Sequence, residues 1–195
     1  MAKTAKFDRD EVIKKATNLY WEKGFHGTSM RNLQDVINLR PGSIYAAFGS
    51  KESLFKEAIQ HYASTSHDLL QVCRSDTSSP LEALKIFIKK AVLDSQQTAP
   101  SGMCMLVKTI AELTEEHGVL LTEARLLLAN IEKAFANVLQ ESIEKGELDK
   151  SKDPHQLAKY VQVQIMGLRT YLRTTGNTAA VEQLIDNMFS GELAS

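Results

Sequence analysis

Asp8 to Tyr62 reads DRDEVIKKATNLYWEKGFHGTSMRNLQDVINLRPGSIYAAFGSKESLFKEAIQHY. This stretch divides into four short helices. Asp8 followed by Glu11 forms a capping box: the aspartate accepts from first-turn amides and the glutamate reaches back. Val12, Ile13, Ala16, Leu19 and Tyr20 then recur at helical spacing, and Gly24 can close the helix. Thr28 or Ser29 caps a second helix with Met30, Leu33, Val36 and Ile37 on its apolar face. In the turn Ile37-Asn38-Leu39-Arg40, Asn38 tolerates positive φ and Leu39 plugs the gap between helices. Pro41 suits the first position of the third helix, Pro41 to Ala47. Ile44 and Phe48 face inward there, leaving Ser43, Tyr45 and Ala46 outward. Ser50 caps the fourth helix, with Leu54, Phe55, Ala58, Ile59 and Tyr62 inside.

A third helix of about two turns cannot be stable alone. It makes sense when neighbours hold it so that its outer face can touch something else. That arrangement is a helix-turn-helix, whose usual partner is the DNA major groove. Charge agrees: Met1 to Lys56 carries 10 Lys/Arg against 6 Asp/Glu, while the remainder carries 13 against 18. The net charge of −1 thus hides a basic N-terminal part suited to a polyanion.

Beyond Tyr62, polar breaks at Arg74–Pro80 and Thr98–Gly102 separate further helical segments. The pattern predicts helices to about Cys73, from Pro80 to about Gln97, over Met103–Leu113, from Val119 to Lys145, from Pro154 to Thr174, and over Ala179–Phe189. No segment alternates with the period of a strand. The fold class expected is all-α: an N-terminal helix-turn-helix domain over 1–50, and a larger helical domain over 51–195. Hydrophobic residues make up 43% of the chain, enough for a core, and no apolar run is long enough to span a membrane. Cys73 and Cys104 form neither a metal-ligand pattern nor a disulfide framework, and the N-terminus lacks an apolar signal core. A cytoplasmic protein without metal or cofactor is the expectation. No nucleophile–base pattern or phosphate-cradling glycine loop points to an enzyme.

Gly24-Phe25, Gly27-Thr28-Ser29, Pro41-Gly42-Ser43-Ile44-Tyr45, Phe48, Ser50-Lys51-Glu52 and Leu54-Phe55 together resemble the N-terminal signature of TetR/AcrR-type transcriptional regulators. Gly102-Met103-Cys104-Met105-Leu106-Val107, Gly146-Glu147-Leu148 and Gly167-Leu168-Arg169 are similar to a subgroup whose effector domain carries a Gly-Cys-Met-Leu-Val motif. Here Met103 intervenes between the Gly and the Cys, Asn38 replaces the usual turn glycine, and Arg40 stands where Ser or Thr usually caps the recognition helix. The resemblance implies a homodimer that binds a palindromic operator and releases it when a small molecule enters the C-terminal domain. A helical interaction protein, or an activator without inducer-driven release, is the alternative.

On that reading Thr28 and Lys51 sit at helix N-termini and meet phosphates. Tyr45 meets phosphate or a thymine methyl, and Pro41, Gly42 and Ser43 form the tip that approaches base edges. Arg40 is free to contact phosphate or base, and Lys3 and Lys6 form a basic arm. Helices 119–145 and 154–174 are apolar on more than one face. One stripe runs through Leu120, Ala124, Leu127, Ile131, Phe135 and Val138, and Leu121, Leu128, Leu139 and Ile143 widen it. Pairing these helices with their symmetry mates would make a dimer. In the effector half, Cys104 is either a small buried hydrophobe or a thiol activated by Lys108, one turn on, toward electrophiles or oxidants. Met103 and Met105 can line a pliable pocket. By analogy with the family's cavity, Tyr62, Gln162 and Met166 join them.

Overall fold

The computed structural model describes residues 7–94 and 99–194. Nine α-helices account for most of them, and no strand occurs among the described residues. The N-terminal head comprises α1 (Arg9–Lys23), α2 (Met30–Ile37) and α3 (Pro41–Phe48). The long α4 (Lys51–Ser75) leads into a bundle of α5 (Pro80–Lys89), α6 (Met105–Glu112), α7 (Gly118–Glu144), α8 (Pro154–Thr175) and α9 (Thr178–Ser190).

Caps decide the boundaries of the head. Asp8 accepts from the amides of Asp10 and Glu11. Glu11 does not reach back as a capping box requires; its carboxylate pairs with Lys15 at 2.7 Å, one turn on. Ser29, rather than Thr28, caps α2, and its box partner is Asn32. Asn38 adopts φ 53 and ψ 42, the left-handed conformation expected of the turn. Arg40 precedes α3 without a side-chain cap, and Pro41 takes the first helical position.

Two apolar cores result. The first joins Leu33, Ile44 and Phe48 of the head to Leu54, Phe55, Ala58 and Ile59 of α4, but also to Met105 and Leu106 of α6 and to Leu120 and Leu121 of α7. The second lies among α5, α7, α8 and α9, around Leu84, Ile88, Leu139, Val161 and Ile185, and reaches α4 at Leu70 and Cys73. Helix α4 therefore belongs to both.

The segment after α5 departs from the regular helix expected to Gln97. It widens into a π-helix over Lys90–Asp94. The Ala91 carbonyl accepts from Arg169 Nε and Nη2 at 3.0 and 2.7 Å, a side-chain partner in place of the regular helical ladder. Helix α6 starts two residues later than its apolar run suggests. Cys104 is extended at its N-cap, and the Met103 carbonyl is taken by Trp21 Nε1 at 2.6 Å.

Candidate DNA-reading surface and effector cavity

Helix α3 is held from behind and left open in front. Ile44 and Phe48 are buried, whereas Pro41, Gly42, Ser43, Tyr45 and Ala46 are exposed. Around Gly42 a Cβ would meet nothing within 4 Å, so the tip is unobstructed. Tyr45, 48% exposed, projects its phenol outward. Arg40 is exposed beside the tip. The far end of α3 is tied down by Arg9, which was not singled out from sequence. Its Nη1 donates to the Ala47 carbonyl at 3.0 Å, its Nη2 pairs with Glu57 at 2.6 Å, and its guanidinium lies 4.4 Å from the centre of the Phe48 ring.

Two residues expected to meet phosphates face inward in this structure. Thr28 is fully buried, and its hydroxyl donates to the Gly24 carbonyl at 2.7 Å, so its side chain does not reach a ligand at the α2 terminus. The preceding turn folds Thr28 inward and leaves Ser29 as the cap. Lys51 is half-buried and turns inward as well. Its Nζ donates to the Phe25 carbonyl at 2.7 Å and sits 4.3 Å from the Phe25 ring centre. Burial lowers its pKa from the ordinary lysine value, against the opposing pull of Glu52 and Glu112. Lys3 and Lys6 lie outside the described residues.

The bundle contains a cavity of about 500 Å³ walled by α1, α4, α5, α6, α7 and α8. Of the residues expected there, Tyr62, Cys104, Gln162 and Met166 line it. Met105 does not: it is 1% exposed and packs in the first core. Met103 is also outside the lining: its carbonyl accepts from Trp21 Nε1, and its sulfur lies 4.0 Å from Thr170 Oγ1. Lys108 is also displaced from its expected role. Its Nζ donates to the carbonyls of Trp21 and Glu22 at 2.6 and 3.1 Å, where it caps the end of α1. Burial lowers its pKa. The Cys104 side chain lies instead beside Tyr62 and Arg169. The buried Cys73 thiol is pushed up by desolvation.

Sequence reasoning missed three lining groups. Trp21 packs edge-on against Tyr62, ring centres 4.9 Å apart. Phe87 and Phe135 form an apolar wall, with ring centres 5.5 Å apart. Arg169 is 7% exposed and donates through Nη1 to the Tyr62 hydroxyl at 3.2 Å. Only the spacing of Gln162 and Arg169 on α8, two turns apart on one face, could have placed them together.

Helix α6 connects the cavity to the head. Cys104 at its start lines the cavity, Lys108 holds the end of α1, and Glu112 at its end accepts from the amides of Phe25 and His26 at 3.0 and 2.7 Å. A Cβ on Gly24 would stand 2.4 Å from Glu112 Oε2 and would displace that carboxylate.

A short helix presented outward at one end, coupled by packed helices to an apolar cavity, defines a helix-turn-helix regulator. The chain belongs to the tetR family of bacterial regulatory proteins. The model of that family matches residues 12–58, and the model of the tetracyclin repressor-like C-terminal domain matches residues 80–188, over half of the chain. The HTH-type transcriptional repressor ComR of Escherichia coli (strain K12) is 24% identical over 182 residues, covering 92% of this chain and 84% of ComR. A cysteine mutant of the TetR family regulator CifR, solved with 26-base-pair operator DNA, is 24% identical, with TM-score 0.84 and coverage of 95% of this chain and 97% of that one. A TetR family regulator from Cytophaga hutchinsonii is 22% identical, with TM-score 0.82 and coverage of 92% and 90%. Among the described residues no helix is long and apolar enough to cross a membrane.

Proposed function

We propose that this chain is a transcriptional repressor without enzymatic activity, working in the cytoplasm as a homodimer on a palindromic operator. A small molecule entering the cavity releases it. The exposed face of α3 carries the reading: Ser43 and Tyr45 stand outward while Ile44 and Phe48 fix the helix from behind. Arg40, Pro41, Gly42, Ser43 and Tyr45 approach the DNA, base edges through the tip and phosphates through the flanks. Residues 1–50 supply the reading unit and 51–195 the effector and dimer unit. The Gly102–Val107 segment supports membership of a subgroup with a Gly-x-Cys-Met-Leu-Val-like effector-domain motif.

The expected dimer stripe is largely consumed within the chain: Leu120, Ala124, Phe135, Val138 and Leu139 are buried. The faces left over are better suited to a second copy. Leu126 on α7 and Val163 and Tyr171 on α8 are exposed by 55%, 63% and 43%. Gly167 lies on the same α8 face, with open space where a Cβ would stand. Two α7–α8 pairs packed across a two-fold axis would bury these residues and space the two α3 helices for successive major grooves.

Footprinting of the purified protein on genomic DNA tests the reading. A protected, inverted-repeat site bound by a dimer is expected. Binding without sequence preference, or by a monomer, would overturn it.

A further inference from the structure

Arg169 is a buried charge without a counter-ion. It is 7% exposed, and no ion pair among the described residues includes it. Its protein partners are neutral: the Ala91 carbonyl takes Nε–H and one Nη2–H, and the Tyr62 hydroxyl takes one Nη1–H. The neighbouring titratable groups, Tyr62 and Cys104, are a phenol and a thiol, far weaker acids than a carboxyl. Burial raises the Tyr62 pKa further, so the phenol stays protonated. Asp94 is in the cavity lining, but it is exposed and is not among the charges acting on Arg169.

A buried guanidinium with only neutral partners is costly, because its charge is desolvated without Coulombic compensation. These partners leave one hydrogen on each Nη, and a carboxylate can accept two such charge-assisted bonds. A second polar group in the lining is also unanswered. Gln162 Oε1 is buried and accepts no hydrogen bond from the described residues, while its Nε2 donates to Glu132 at 3.3 Å. Gln162 precedes Arg169 by two turns on α8, roughly 10 Å along the axis. The lining also includes the apolar side chains of Phe87, Phe135, Leu128 and Ile165, with Lys90 and Asp94 as its other charged members.

We propose that the effector is an amphipathic organic acid: its carboxylate pairs with Arg169, its apolar body lies against Phe87 and Phe135, and a hydroxyl or amide N–H near its other end donates to Gln162 Oε1. This rests on the reading of the cavity as the effector site. It adds the ligand class, and it gives Arg169 a binding role beyond holding the π-turn carbonyl of Ala91.

The chain's single tryptophan, Trp21, lies in the cavity wall and reports occupancy without DNA. The full chain is titrated with decanoate, decanamide and ω-hydroxydecanoate while Trp21 fluorescence is followed. Decanoate is expected to bind about tenfold more tightly than the amide, the worth of a charge-assisted hydrogen bond. Arg169→Met removes that preference and leaves amide affinity in place. If Arg169→Met melts early, Arg169→Lys, which keeps the charge, should keep the preference. The ω-hydroxyl should tighten binding further, and Gln162→Ala should abolish only that increment. Equal affinity for acid and amide, or no response to either, overturns the proposal. Tight, Arg169-dependent acid binding that leaves operator DNA bound supports the ligand class and overturns the regulatory reading. Release of DNA as readily by the amide as by the acid does the reverse.

Discussion

Lys108 reaches back from α6 to donate its Nζ–H to the main-chain carbonyl of Trp21 at 2.6 Å. The same tryptophan returns the contact through Nε1, which donates to the Met103 carbonyl just before α6. One residue of the head is thus gripped by backbone and side chain at opposite ends of α6's first turn. Because Trp21 also walls the cavity, a ligand that displaces its indole must break the bond to the Met103 carbonyl.

Replacing Lys108 with Met should cost about 1–3 kcal/mol, since it leaves the terminal carbonyls of α1 without a charged donor. Denaturant unfolding would register the loss. Operator affinity without ligand should fall little, while ligand-driven release weakens. If release stays intact, the grip carries no signal.

Gly24 tests the other end of α6. Its φ of 78 and ψ of 177 lie where side chains other than glycine's are strained. Gly24→Ala should destabilise the protein by about 1–3 kcal/mol, and it would also drive a methyl into Glu112. A Gly24→Ala, Glu112→Ala double variant should recover the clash but not the backbone strain. Full additivity of the two single effects on the melting temperature would show that the clash is absent.

For DNA, Ser43→Ala with Tyr45→Ala should weaken operator binding without altering the fold. Arg40→Ala should also reduce the dependence of affinity on salt, because a lost phosphate contact lowers the number of counterions released. Lys51→Ala should act differently: its ammonium holds Phe25, so thermal stability falls while the salt slope changes less than in Arg40→Ala. Fluorescence anisotropy across a salt series separates these outcomes.

Cysteine chemistry should be one-sided. Cys73 is fully buried, whereas Cys104 is partly exposed and lines the cavity, so a maleimide should label Cys104 first. Burial raises the Cys73 pKa in the folded state. The folded protein therefore holds that proton more tightly than the unfolded chain. The associated stability is present below the unfolded thiol value of about 8.5 and is lost as pH rises above it. Cys73→Ala should flatten the fall in stability between roughly pH 8 and 10. The lowered pKa values of Lys51 and Lys108 act in the opposite sense, adding stability as pH approaches the lysine range. An unchanged slope in Cys73→Ala would remove Cys73 as the cause.

Val163→Glu on the exposed face of α8 should leave the chain folded but monomeric by light scattering, with operator affinity reduced at least tenfold, roughly the loss of one half-site's contribution. A dimer that survives Val163→Glu would place the interface elsewhere.

Local chemistry made the head readable. Asp8, Ser29 and Ser50 act through neighbouring amides, Asn38 through its own φ, and Pro41 through its missing N–H; each signal lies within a few residues of its effect. The errors came where a long-range partner overrode the local signal. Nothing near Lys51 foretells Phe25, nothing near Lys108 foretells Trp21, and the Arg169–Tyr62 bond joins residues 107 positions apart. Likewise the π-turn at Lys90–Asp94 has no local signature, since Ala91 finds its partner across the bundle. The cavity residues Tyr62, Gln162 and Met166 came from family likeness; Arg169 was in the quoted motif, but its burial could not be seen there.

Since Leu54, Phe55, Ala58 and Ile59 of α4 furnish the floor beneath α3, severing the chain at Ser50 would strip the reader of its foundation. A graft that transfers DNA specificity between two such regulators should therefore cross over beyond Ala63. It should also bring along the donor's Lys108 and Glu112 counterparts, or the transplanted tip will recognise its sequence yet ignore the inducer.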